Sequence, residues 1–104
     1  MMKMYRGERA PNGTVRVFVD EGDQRRSLGP ARRYPSSGFD YGYDGSGPAE
    51  LARSILADVL GRPPKWWLYR AVLGQFIEPL DQAEPWAISE AEVSAWLAAV
   101  AAQR

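Results

Sequence analysis

The sequence predicts an α+β fold: a small antiparallel β-sheet of about three strands, followed by three α-helices packed on one face of it. Two features carry the prediction. Over residues 1–28 the short segments that alternate apolar and other side chains have a period of two, the period of a half-buried strand. Over residues 48–102 the apolar side chains recur at helical spacing instead. Between them lies a connection, residues 29–47, rich in Gly, Pro, Ser and Tyr. A chain of 104 residues is read as one domain, residues 1–104, large enough to bury its own core.

The first strand is expected over Met4–Arg9, ended by Pro11-Asn12-Gly13. The second runs over Thr14–Val19, with Val15, Val17 and Val19 on one face and Phe18 on the other. Asp20-Glu21-Gly22-Asp23 is turn chemistry, so Gln24–Leu28 returns as the second arm of a hairpin. Gly29-Pro30 breaks the sheet. A long connection in a compact domain is functional or hides a short strand, and Phe39–Tyr43 is the segment that could form one.

Helix one is expected over Pro48–Leu60, with Leu51, Ala52, Ile55, Leu56, Val59 and Leu60 on its apolar stripe. Ser46 or Gly47 is its expected cap, and Gly61 with Pro63-Pro64 its stop. Helix two is expected over Lys65–Glu78 and is apolar nearly all round, so it is either central to the fold or docks something. Of the adjacent pair Trp66 and Trp67, about 100° apart on a helix, Trp66 is assigned to the core with Tyr69 and Leu73, and Trp67 to the surface. Helix three opens on a capping box, Ser89 with Glu92, stapled by Ile88 and Val93. Val93, Trp96, Leu97 and Val100 then give its inward stripe. The expected core is Val15, Val17, Val19, Leu51, Ile55, Leu56, Val59, Trp66, Tyr69, Leu73, Phe76, Val93, Trp96 and Leu97.

The composition narrows the chemistry. The chain has no cysteine and no histidine. That removes disulfides, thiolate nucleophiles, the commonest transition-metal ligand and the commonest base near pH 7. Carboxylates are the remaining candidates for catalysis: Asp40, Asp44, Glu50 and Asp58. Asp40 and Asp44 flank the glycine-rich block, but carboxylates so placed are usually turn and cap residues. The reading is therefore non-enzymatic, without cofactor or metal. Thirteen bases balance thirteen acids, yet residues 1–40 carry eight bases against five acids and residues 41–104 five against eight. No run approaches the roughly 20 apolar residues of a membrane helix, and the opening residues lack the apolar core of a signal peptide. A cytoplasmic protein is expected.

Gly38–Pro48, reading GFDYGYDGSGP, is the most unusual stretch. A Gly45-Ser46-Gly47 lead into a helix exposes backbone N–H groups at the positive end of the helix dipole, where a phosphate or carboxylate can sit. Tyr41 and Tyr43 are placed for stacking, and Arg32 and Arg33 for phosphate. The plainer reading is that these glycines only turn and cap the chain. No Gly-Lys-Ser/Thr follows, so this is no P-loop, and the dinucleotide fingerprint is absent.

Four segments also carry a resemblance. Tyr5-Arg6-Gly7-Glu8-Arg9, the block GFDYGYDGSGPAELARSILAD from Gly38 to Asp58, Leu68-Tyr69, and Trp86-Ala87-Ile88-Ser89-Glu90-Ala91-Glu92 together resemble a family of uncharacterised proteins of about this length from bacteria, plasmids and phages. Its central pattern is GFxxGYxGSGPxxLAxxIL. The resemblance implies an accessory protein of mobile elements and supplies no activity or catalytic residue.

The function expected is binding of a protein partner, a host or defence-system protein, with Arg32, Arg33, Phe39, Tyr41, Tyr43, Gly45, Ser46, Gly47 and Trp67 as candidate binding residues. Aromatics and arginine dominate interface energetics. Two alternatives stand beside it: a nucleotide or anion held at the Gly-Ser-Gly helix start, and nucleic acid bound through the Arg25–Arg33 cluster with Phe18 or Tyr34 stacking on bases. Against the last is an isoelectric point near 6.2.

Overall fold

A computed structural model describes residues 2–29 and 38–102. Four antiparallel strands and three helices make an α+β fold: β1 (Lys3–Arg9), β2 (Val15–Glu21), β3 (Gln24–Ser27), α1 (Ser46–Leu60), α2 (Trp66–Val72), β4 (Trp86–Ser89) and α3 (Glu90–Ala102). The strand order is β3-β2-β1-β4.

The two hairpins form where turn residues stand. Gly13 at φ 89° closes the β1–β2 turn, where the Ala10 N–H donates to the Thr14 carbonyl at 2.8 Å. Gly22 at φ 64° lies in the two-residue turn between the paired Glu21 and Gln24. The pleat then sorts the side chains. Tyr5, Val17, Val19, Trp86 and Ile88 share one face and are buried, while Arg6, Glu8, Arg16, Arg25 and Ala87 share the other and are exposed. Phe18 lies on that outer face, half-covered by the Arg25 guanidinium 4.8 Å from its ring centre.

The sheet has one strand more than the sequence predicts. Trp86–Ser89, whose last two residues the sequence places at the start of helix three, pairs with β1 through Tyr5 opposite Ile88 and Gly7 opposite Trp86. Residues 39–43, the expected extra strand, form none. Gly42 sits at φ 88° there, and the Asp40 side chain rather than a neighbouring strand accepts the Tyr41 N–H, at 2.9 Å.

The helices fill the inner face. Leu51, Ala52, Ile55 and Leu56 of α1 are sealed in the core, and Gly61 at φ 73° ends the helix with its N–H on the Ala57 carbonyl. Burial of Leu51, Ile55 and Leu56 contributes about 1.5–3 kcal/mol each relative to exposure. The expected cap differs: Gly45 occupies the N-cap, and no side chain caps the helix. Helix two is α-helical only as far as Val72. Leu73–Ile77 form a wider π turn, with the Glu78 N–H donating to the Leu73 carbonyl at 2.9 Å. Pro79 lacks the N–H to continue.

Trp66 corrects the assigned core. It is 69% exposed, whereas Trp67 is half-buried. The inward face of this helix runs through Leu68, Tyr69, Val72, Leu73 and Ile77, and Trp66 lies on the other side, one turn before the exposed Arg70 and two before the exposed Gly74. Residues the core prediction omitted complete the interior: Tyr5, Leu28, Tyr41, Ala52, Val72, Ile77, Trp86 and Ile88. Phe76 and Trp96 meet edge to face, ring centres 5.8 Å apart, tying α3 to the π turn.

Candidate functional site

The glycine-rich block folds onto the end of the sheet where β1 runs out. Asp40 is its polar centre. One carboxylate oxygen accepts the Arg9 guanidinium at 2.7 Å and the Tyr41 N–H at 2.9 Å, and the other accepts the Tyr43 hydroxyl at 3.0 Å. Burial would raise this carboxyl, but those hydrogen bonds outweigh it and hold it below the usual carboxylate range. Arg9 also donates to the Gln82 and Gly13 carbonyls, at 3.1 and 3.3 Å. One guanidinium thus joins the first hairpin, the glycine-rich block and the approach to β4.

The tyrosines of the block are engaged within the protein. Tyr41 is fully buried, with its hydroxyl on the Glu84 carbonyl at 3.0 Å, its ring 5.0 Å from the Arg9 guanidinium and edge-on to Trp86 at 6.1 Å. Burial raises its phenol above the ordinary value. Tyr43 is partly exposed, and its ring lies against Gly45, where a side chain would collide with it. Phe39 is half-buried against the core, Ser46 is exposed, and Gly47 is buried beneath Asp40 and the Gly38 carbonyl. The structure therefore brings together Phe39, Tyr41, Tyr43, Gly45, Ser46 and Gly47, with Arg9 as the basic partner that the sequence did not single out. Arg32, Arg33 and Tyr34 lie outside the described residues. Trp67 stands on α2 and is half-buried.

Other expected groupings are separated. Asp40 binds Arg9, whereas Asp44 faces Arg70 at 3.4 Å. Arg25 and Arg26 project from opposite faces of β3: Arg25 grips Asp20 on the outer face at 2.6 Å, and Arg26 reaches under the sheet to Asp58 at 2.7 Å. Asp58, on α1, also accepts the Tyr5 hydroxyl at 2.7 Å and the Lys3 ammonium at 3.2 Å. Among the described residues, no three acidic side chains converge to hold a metal ion.

A second surface was not singled out from the sequence. Arg62, Lys65, Trp66 and Arg70 are all exposed where α1 passes into α2. Its signal was legible: nineteen residues, Val59–Ile77, contain three exposed bases and no acid. On the outer sheet face a shallow cavity of about 150 Å³ is lined by Arg6, Phe18, Arg25 and Trp86 among others, but both arginines are already bound to Asp20.

Fold and site together define a small α+β protein whose glycine-rich loop is locked to the sheet by an Arg–Asp–Tyr cluster. The chain belongs to a family of unknown function, DUF6166, whose pattern it matches over residues 5–99, from β1 into α3. No curated protein and no solved structure matches it.

Proposed function

We propose that this protein is a non-catalytic binding module whose partner is another protein, and that it docks through the surface around Trp66. The observation that carries the reading is the exposure of Trp66, 69%, amid Arg62, Lys65 and Arg70. Tryptophan and arginine are the side chains whose truncation costs most at protein interfaces. Several aromatic and charged groups elsewhere are engaged within the protein: Tyr41 packs on Trp86, Asp40 receives Arg9 and Tyr43, and Arg26 binds Asp58. The likeness of the central block to proteins of plasmids and phages supports a role as an accessory protein of a mobile element, acting on a host or defence-system protein.

The test is a tagged pull-down from lysate of the cell that carries the protein, read by mass spectrometry for proteins and small molecules. The expected outcome is a stoichiometric protein partner that Trp66→Ala loses while keeping the wild-type melting temperature. Retention of a nucleotide or nucleic acid in place of a protein would overturn the reading.

A further inference from the structure

We infer that the partner segment that docks on Trp66 is acidic: a short stretch of carboxylates with an apolar side chain among them. This rests on the protein-binding reading above and names its partner chemistry. The argument is charge complementarity around a single aromatic anchor. Trp66 and Arg70 are one helical turn apart on the same face, so they are neighbours on the surface. Lys65 precedes Trp66 directly, and Arg62 lies just before Pro63-Pro64. Among the described residues Arg62 and Lys65 make no ion pair, and Arg70 has only the long, exposed contact with Asp44, whose two side chains are 47% and 53% exposed. Such an exposed pair is worth about 1 kcal/mol or less, so it yields readily to a competing carboxylate. The surface thus offers donors that the protein itself leaves largely unused, beside the most exposed large apolar side chain it has among the described residues.

The extent of the patch decides between an acidic protein segment and the other polyanions. Residues 41–104 carry eight acids against five bases. Glu78, Asp81, Glu84, Glu90 and Glu92 all follow α2 in the chain. A nucleic acid presents charge continuously along its length, and a backbone tracking past Arg70 meets the Asp44 carboxylate 3.4 Å from it. A short acidic segment fits a local patch and ends before the repulsion begins. Its apolar residue covers the Trp66 indole, and its carboxylates meet the planar guanidinium forks of Arg62 and Arg70.

The experiment is a titration of the ¹⁵N-labelled full chain, at low salt, with a synthetic peptide of alternating glutamate and leucine. A single-stranded oligothymidylate and vesicles containing phosphatidylserine are titrated in parallel. The expected result is peptide-dependent shifts confined to residues 62–70, weakened about tenfold in Trp66→Ala and weakened also in the charge reversal Lys65→Glu, with both variants melting as wild type. Affinity falls as salt rises. The inference is overturned if the peptide leaves residues 62–70 unshifted, if Trp66→Ala binds as tightly as wild type, or if oligothymidylate or vesicles shift these residues and the peptide does not. A pull-down partner that depends on Trp66, together with a silent peptide titration, would sink the acidic segment and spare the protein-binding reading. Absence of any protein partner would remove both.

Discussion

Gly7 and Trp86 face each other across β1 and β4, and the indole fills the space where a side chain on Gly7 would stand. A Cβ added there would fall within the ring system. The two residues lie almost eighty positions apart, yet each determines what the other can be. Gly7→Ala must therefore push Trp86 out of the core or β4 off the sheet, and is expected to cost about 3 kcal/mol. Trp86→Ala leaves a cavity at a similar cost, about 3–5 kcal/mol. In urea denaturation the double variant should be less destabilised than the sum of the singles, because the alanine methyl then has room. Strict additivity would show that the contact is not the cause.

Gly42 and Gly13 have the same backbone conformation, φ 88° and 89°, in different surroundings. A Cβ on Gly13 meets nothing within 4 Å, so Gly13→Ala carries only the left-handed penalty, about 1 kcal/mol. A Cβ on Gly42 would collide with the Gln82 side chain and lie 2.8 Å from the Leu80 carbonyl oxygen. Its N–H also donates to the Ile77 carbonyl at 3.0 Å, which locks the loop to the π turn. Gly42→Ala is expected to lose about 3 kcal/mol, the strain plus overpacking against backbone that cannot rotate away. Equal melting temperatures for the two alanine variants would refute this account.

These contacts show which parts of the fold are local enough to read. The hairpins were legible because Asn12-Gly13 and Gly22-Asp23 carry their own turn chemistry. The start of α3 was legible because its capping box is four residues long. Strand β4 was not, because Trp86 and Ile88 give only two inward residues, too few to establish a period, and its partner is β1 at the other end of the chain. Trp66 was placed inward because helix two is apolar nearly all round, so its inward face is set by what packs on Tyr69, Val72 and Ile77 and not by its own pattern. The glycine-rich block reads as unusual from sequence. That Tyr41 serves the core follows from Arg9 and Trp86, which no local spacing connects to it.

Two serines at helix starts should behave differently. Ser89 accepts the Glu92 N–H on its hydroxyl at 3.0 Å, while the Glu92 carboxylate accepts the Ser89 N–H at 2.7 Å. Ser89→Ala removes the acceptor of the Glu92 N–H while the backbone N–H of position 89 keeps the Glu92 carboxylate, and is expected to cost about 1 kcal/mol. Ser46 is exposed, and α1 begins without a side-chain cap. Ser46→Ala should change stability by less than about 0.5 kcal/mol, the usual range for surface positions. Thermal melts of the two variants side by side check this. A larger loss at Ser46 would mean that the start of α1 is held in a way its backbone geometry does not indicate.

Asp58 gathers the Tyr5 hydroxyl, Arg26 and Lys3 beneath the sheet, and the cluster is expected to contribute to the pH dependence of stability. Burial would raise the Asp58 carboxyl, but the hydrogen bonds from Tyr5, Arg26 and Lys3 outweigh it, and it sits below the usual range. A carboxyl depressed in the folded state contributes stability at neutral pH that drains away as pH falls below about 4, where the unfolded chain takes up the proton first. Tyr5 has the opposite sense. Burial, and then Asp58, push its phenol well above the ordinary value. Its contribution is whole below about pH 10, where tyrosines of the unfolded chain ionise, and is lost above it. Tyr5→Phe should cost about 2 kcal/mol at pH 7, the worth of a hydrogen bond to a charged acceptor, and should flatten part of the alkaline fall in stability. Tyr41 and Tyr43, also raised by burial, keep the remainder. Asp58→Asn should instead flatten the acid limb, leaving the fall due to Asp40 and Asp20, both of which are also depressed. Urea midpoints between about pH 3 and 11 read both limbs. Parallel displacement of the whole curve in both variants, with neither limb flattened, would show that the cluster packs the core without titrating against it.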